Sequence, residues 1–342
     1  MSRRKNWRVL SLLLCLLMAV ALLHRCSVSR DRPRPRLIPR ILHQVGESEL
    51  VFAEYSFAIE SCRRLNPNWT YILWRDKDAE LLIKEFFPDF YRTQYAKYTN
   101  RLKKSDSIRY IILYLFGGLY ADLDVECMKP FSPDLDEEAC FLDQENPAQS
   151  HIFWNKERSA MNSVMGCRPG HPFMLDLVSR MAESPSNQAV MLSTGPLMLT
   201  KALDEWTAQG SQRDWADSVR LMDPDIFSPH VDNADILMDA CRKRFGQPAN
   251  DGELWVDRGC RDLQFGGLKD NFTERTVAVH WFMHLGWYSL KEREHIQRIN
   301  ISRLVPGVRF YREHHAQLKQ LIKATPPALG NNKIKDADEA EQ

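Results

Sequence analysis

KSDSIRYIILYLFGGLYADLDVECMKPF, residues Lys104 to Phe131, is the stretch whose reading decides the fold. Ile108, Ile111, Ile112 and Leu115 recur at the i, i+3, i+4, i+7 spacing of a buried helix stripe. Ser105 is placed to cap its start and Gly117 to end it. After the glycines, Leu119, Ala121 and Leu123 alternate with Tyr120, Asp122 and Asp124, the period of a strand. A strand here sends the carboxylates of Asp122 and Asp124 to the same side at its far end. On the preceding helix, Asp106 and Arg109 at i, i+3 share one face, able to act on each other or on a ligand.

Two neighbouring carboxylates that both stay ionised repel each other. The usual remedy is a hard divalent cation with oxygen ligands, Mn²⁺ or Mg²⁺, completed by phosphate oxygens. That chemistry suits a nucleotide diphosphate.

Outward from this stretch the pattern is that of an α/β protein. Strand-like runs at Ile38–Val45 and Trp69–Trp74 flank a helical pattern at Ala53–Arg64. A helix starts at Asp76 and Asp78, and Cys140–Gln144 reads as a further strand. Strand and helix alternate as in a parallel sheet flanked by helices. In such sheets ligands bind beyond the carboxyl ends of the strands, where Asp122 and Asp124 fall. With 342 residues, 44% hydrophobic, and a net charge of +1, the chain can bury one large core or two modest ones. A near-neutral balance gives no reason to expect a nucleic-acid partner.

The N-terminus carries Arg3, Arg4, Lys5 and Arg8 and then the apolar run Val9–Leu23. The run is somewhat short of the roughly 20 apolar residues that cross an average bilayer. It reads as a membrane anchor or a signal peptide, and the anchor is the expectation adopted here. Residues 1–8 are then cytosolic, 9–23 a transmembrane signal-anchor, and 24–37 an extended Arg- and Pro-rich stem. Residues 38–323 form the folded domain, and 324–342 a disordered tail. The expected location is the Golgi membrane, single-pass type II, with the domain lumenal. Sequons at Asn68, Asn271 and Asn300 agree with a lumen.

The run SDSIRY, then GGLYADLD after six further residues, then KPF, resembles the DXD-containing sugar-binding region of family 32 glycosyltransferases, and is also similar to the large clostridial glucosylating toxins. That family includes fungal Golgi α-1,6-mannosyltransferases and the mannosyltransferases that decorate inositol phosphorylceramide. The resemblance implies the nucleotide-sugar fold called GT-A, with a mixed, mostly parallel sheet. It implies a metal-dependent enzyme that retains anomeric configuration, with Asp122 and Asp124 catalytic and holding the metal. Asp106 and Arg109 then bind sugar hydroxyls, Tyr120 lies against the nucleotide, and Asp122 also reaches the ribose or sugar. Asn162 opens the next family block and belongs to the donor site.

The last block, VAVHWFMHLGWY (Val277–Tyr288), is similar to the family's ending. By this alignment His280 is the third metal ligand and Trp287 closes over the donor, with His284 the competing histidine. Gly286 stands where the family has Ser, and Val45-Gly46 where its first strand carries Trp. Residues 206–275 match no family block and are expected to form a variable acceptor-side region. GDP-mannose is the expected donor, with UDP-galactose or UDP-N-acetylglucosamine as alternatives. The acceptor is a glycan or an inositol phosphorylceramide-type glycolipid.

Two other classes also fit parts of the sequence. Asp122-Leu-Asp-Val also fits the nucleophile motif of a haloacid-dehalogenase-type phosphatase, but that fold needs it on the first strand and a late acidic pair. A non-catalytic lumenal binding protein is the third reading. Of the eight cysteines, Cys15 lies in the anchor and Cys26 in the stem. Cys241 with Cys260 is the expected disulfide, whereas Cys127, Cys140 and Cys167 fit buried thiols equally well.

Overall fold

The computed structural model describes residues 37–324 except 132–134, 136–137, 186, 211–214, 233, 246–253, 267–269 and 288–289. The expected anchor, most of the stem and the tail after Ala324 lie outside the described residues. Among the described residues, no helix is long and apolar enough to cross a membrane. Ala324, the expected first residue of the tail, is instead buried in the main core.

The strands are β1 (Ile41–Gly46), β2 (Leu50–Phe52), β3 (Thr70–Arg75), β4 (Gly118–Ala121), β5 (Val125–Cys127), β6 (Cys140–Gln144), β7 (Ala160–Cys167), β8 (Arg220–Leu221), β9 (Ala278–His280) and β10 (Arg298–Asn300). The helices that matter here are α1 (Ser56–Leu65), α2 (Asp76–Phe86), α3 (Arg101–Phe116), α4 (Pro147–Trp154), α5 (Pro172–Glu183), α6 (Pro196–Ala208), α7 (Pro224–Phe227), α8 (Ala234–Phe245) and α9 (Leu254–Gly266).

A six-stranded sheet runs β3-β1-β4-β7-β6-β8. β7 is antiparallel to both of its neighbours, and the other pairings are parallel. The sheet is therefore mixed and mostly parallel. β3 shows how the sheet divides the core: Ile72 and Trp74 enter one cluster and Tyr71 and Leu73 the other. The first cluster is covered by α2, α3, α5 and α6, the second by α1, α7 and the small β5-β9 sheet. Layers of helix on both faces follow from strands that are apolar on both sides.

The expected helix is present as α3, but it starts four residues earlier than Ser105. Asn100 caps it, its side chain accepting from the Leu102 amide at 2.8 Å. The apolar stripe understates the burial, because Asp106 to Phe116 are buried on every face. Gly117 ends the helix with φ 64°, and Gly118 follows with φ 98°. A Cβ on Gly117 would lie 2.6 Å from Pro169, and one on Gly118 would lie 2.6 Å from the Ile41 carbonyl. Only glycines satisfy both the dihedrals and the space.

Residues 206–275 hold the end of α6, β8, α7, α8 and α9. Cys241 and Cys260 are bonded there, as expected, within a small cluster of Leu237, Leu263, Val231 and Ile152. Two further disulfides, Cys62–Cys127 and Cys140–Cys167, replace the free thiols weighed from sequence. The second bridges residues directly opposite each other on β6 and β7.

Candidate cation and donor site

β4 ends at Ala121, one residue before the first aspartate. The sequence alternation suggested a strand through Asp124, but the chain turns at Asp122, with the Val125 amide donating to the Asp122 carbonyl at 3.1 Å. The two carboxylates are thus brought together by a turn at the carboxyl edge of the sheet. Asp122 is anchored through its backbone: its amide donates to the Ser163 carbonyl at 2.9 Å, and its carbonyl accepts from the Gln44 side chain at 3.1 Å.

Past the turn, β5 pairs antiparallel with β9, and Val125 lies opposite His280. This pairing delivers the histidine to the aspartates. His280 Nε2 lies 3.3 Å from Asp124 Oδ1. One ligand atom from each of Asp122, Asp124 and His280 falls within 4.8 Å of the others. His280 and Asp124 are both buried, at 8% and 7% exposure. Burial alone lowers the pKa of the imidazole, but Asp124, Asp122 and Asp143 around it raise it well above its ordinary value. Burial likewise raises the Asp124 carboxyl, yet His280 and the Met283 amide hold it below the usual carboxylate range.

The segment after β9 wraps Asp124. Its Oδ2 accepts from the Met283 amide at 2.9 Å, and its carbonyl accepts from the Trp281 amide at 3.2 Å. Phe282 and His284 take positive φ values of 49° and 53°, a left-handed conformation rare for such residues. Strain of this kind persists where surrounding contacts over-determine it, often at functional sites. His284 turns to Asp232 at 2.9 Å and is not part of the Asp122–Asp124–His280 group. Trp287 ends a 3-10 turn from Leu285. A Cβ on Gly286 would meet no atom of the described residues within 4 Å.

The remaining expected residues form a second, closed network. Asp106 Oδ1 accepts from the Asn162 side-chain Nδ2 and its Oδ2 from the Thr194 hydroxyl, each at 3.0 Å. Burial pushes its carboxyl up to about 6, opposed by Arg109 and the two donors. Arg109 donates to the Asn162 carbonyl at 2.7 Å and lies 3.4 Å from both Asp106 and Asp122. Its guanidinium also covers the Tyr120 ring, 4.7 Å from the centroid. Tyr120 is 1% exposed and donates its hydroxyl to Asp122. The ring, expected from sequence to lie against a nucleotide, is buried in the core, and its hydroxyl supports Asp122.

Gln44, Ser163, Thr194, the Met283 amide and Asp143 contribute without having been expected from sequence, although Ser163 follows Asn162 and Met283 lies within Val277–Tyr288.

The described motif has a recognisable counterpart. Residues 53–142 match the glycosyltransferase sugar-binding region containing the DXD motif. This sugar-binding region holds Asp106, Arg109, Tyr120, Asp122 and Asp124, whereas Asn162, His280 and Trp287 come from beyond it. Over 195 residues the chain is 31% identical to inositol phosphoceramide mannosyltransferase 3 of Schizosaccharomyces pombe, covering 56% of this chain and 51% of the relative. It is also 31% identical over 204 residues to mannosyl phosphorylinositol ceramide synthase CSH1 of Saccharomyces cerevisiae, covering 57% and 50%. The chain spans about half the length of these curated relatives. Among solved structures, PaToxG glycosyltransferase aligns over 72% of this chain and 95% of its own, with a TM-score of 0.39 and 15% identity.

Proposed function

We propose that the chain is a metal-dependent, retaining glycosyltransferase of the GT-A type. It moves mannose from GDP-mannose onto an inositol phosphorylceramide-type glycolipid or a glycan. The observation that carries this reading is the convergence of Asp122, Asp124 and His280 from two distant parts of the chain.

The residues suit a divalent cation. Two carboxylates and one imidazole are an oxygen and nitrogen donor set fit for Mn²⁺ or Mg²⁺. His280 Nδ1 is buried and has no hydrogen-bond partner among the described residues, an arrangement that leaves one nitrogen for Asp124 and one unassigned. When bound, the cation supplies positive charge to a departing diphosphate. The protein's own part is positional. Asp122 is held by Tyr120, Arg109, Ser163 and Gln44, while the Asp106, Arg109 and Asn162 network forms the wall on the sugar side. Closure by the segment ending at Trp287 would exclude water and suppress donor hydrolysis.

Retention without an identified carboxylate nucleophile favours front-face attack assisted by the leaving phosphate. The names of the two yeast relatives support a mannosyl donor and a sphingolipid acceptor. The three disulfides support an oxidising lumen, with Val9–Leu23 as a type II Golgi anchor. The phosphatase alternative finds no support, since Asp122 follows the fourth strand.

Detergent-solubilised full-length chain, incubated with Mn²⁺ and a panel of nucleotide sugars, tests the reading. GDP-mannose hydrolysis and transfer to inositol phosphorylceramide, both lost with a chelator, are expected. Turnover of a UDP-sugar instead would reassign the donor. Turnover of no donor, or turnover indifferent to the chelator, would overturn the reading.

A further inference from the structure

Asp143, near the end of β6, is fully buried. Its Oδ2 accepts from the Ser163 hydroxyl at 2.9 Å and from the Ser228 hydroxyl at 2.6 Å. Its Oδ1 has no partner among the described residues. A carboxyl in such a place is costly to keep unless it organises what surrounds it.

The two serines belong to different arms of the site. Ser163 lies in β7 where the ladder slips: Leu142 opposes Met165, but Asp143 opposes Met161. The irregularity frees Asn162 and Ser163 from regular pairing, a local device common beside active sites. The Ser163 carbonyl is the acceptor for the Asp122 amide. Ser228 closes the C-terminus of α7, and the Ile226 carbonyl of that helix accepts from Val277, just before β9 and His280. Thr276 adds a second tie, its hydroxyl donating to the Asp225 carbonyl at 2.8 Å.

The β5–β9 pairing already fixes Asp124 against His280. Asp122 lies outside that pairing: besides Tyr120, Arg109 and Gln44, β7 holds it through the Ser163 carbonyl. We propose that Asp143 is a positioning residue that, by joining Ser163 to Ser228, sets Asp122 at its working distance from the Asp124–His280 pair. The inference rests on the cation site proposed above, and the role is mechanical: Asp143 holds two hydroxyls that hold the two arms. Nothing in it requires Asp143 to touch the cation or the sugar.

The test uses the full chain with Mn²⁺ alone, its affinity read by calorimetry or electron paramagnetic resonance beside a melting curve. Asp143→Ala removes the shared acceptor and should weaken Mn²⁺ binding about tenfold, the lower end of what outer partners of metal ligands typically contribute. Asp143→Asn keeps an oxygen acceptor and should stay within about threefold of the parent, whereas Ser228→Ala should lose about threefold with little change in melting. Parent-like Mn²⁺ affinity in both Asp143→Ala and Ser228→Ala, with binding lost in Asp124→Asn, overturns the positioning role alone. An Asp143→Asn loss as large as that of Asp143→Ala also overturns it, because the charge and not the bonds would then matter. Should Asp143→Ala fail to fold, Ser228→Ala decides by itself, and unaltered affinity there sinks the proposal. Parent-like affinity in Asp124→Asn places the fault in the cation site itself.

Discussion

Asp106 and the Asp122–Asp124 pair face the same edge of the sheet, yet the fold treats them differently. Asp106 is saturated: each oxygen has an uncharged donor, and Arg109 stands beside it. Asp122 and Asp124 crowd one imidazole, whose Nδ1 has no hydrogen-bond partner among the described residues. A closed network of buried polar groups serves as scaffold, because any member removed strands the others. An incomplete one, with like charges held together, suits the cation proposed above.

The most severe break in that contrast is Asp124→Asn, which removes one ligand charge with little change of shape. Turnover should fall about a thousandfold, since several kcal/mol of charge stabilisation is at stake at about 1.4 kcal/mol per decade. The metal-free protein should also lose some stability, because Asn leaves the buried His280 without its charged partner, so activities are compared at a temperature where both proteins are folded. Activity within tenfold of the parent would show that the pair needs no cation.

Arg109→Ala attacks the closed network. It leaves Asp106 buried opposite nothing charged and should lower unfolding free energy by about 3 kcal/mol, measured in denaturant. The burial of both partners, Arg109 at 6% and Asp106 at 7% exposure, predicts that stability falls alongside any effect on donor binding. Arg109→Lys should not rescue it, because the planar fork serves Asn162 and Ser105 together. Unchanged denaturation midpoints would erase the distinction between scaffold and site.

His280→Ala sharpens the other side. The Mn²⁺ concentration for half-maximal activity should rise by about tenfold or more. His284→Ala should leave it in place, because that ring is engaged with Asp232. The reverse pattern would exchange the two histidines.

The smallest effect concerns Glu145, just past β6, whose carboxylate accepts from the Trp154 indole at 2.7 Å. Burial pushes its carboxyl up to about 8, offset in part by that indole. A raised folded pKa means stability fully present below the ordinary value near 4.5 and lost as pH rises through about 8. The metal-free parent should lose on the order of a few degrees of melting temperature between pH 5 and pH 8, and Glu145→Gln should flatten that slope. Parallel profiles for the two proteins would rule out the carboxyl as the cause.

Local signals carried much of this into the sequence, and long-range ones did not. Gly117 and Gly118 were legible because a positive φ and a close approach both demand glycine. The start of α3 was misplaced because Lys103 and Lys104 hide its first turn among polar residues. Ala-Asp-Leu-Asp satisfies a strand pattern and a turn equally, so the end of β4 was drawn three residues too late. The antiparallel course of β7 follows from pairing partners that no local pattern names. Asp143 was read only as part of a strand, since its meaning lies in hydroxyls 20 and 85 positions away. His280 was found through resemblance to a family ending and not through any periodicity of its own.

The Cys62–Cys127 bond has a practical consequence for anyone handling the protein. It staples α1 to β5, the strand that leaves the DXD turn and receives His280, and it closes a span of 65 residues. In the chain-entropy account a loop of that size is worth about 4 kcal/mol. Material made in a reducing bacterial cytosol, or stored with a thiol reductant, begins with its sugar-handling edge unfastened. Inactivity of such a sample speaks to the oxidant in the buffer before it speaks to the choice of sugar.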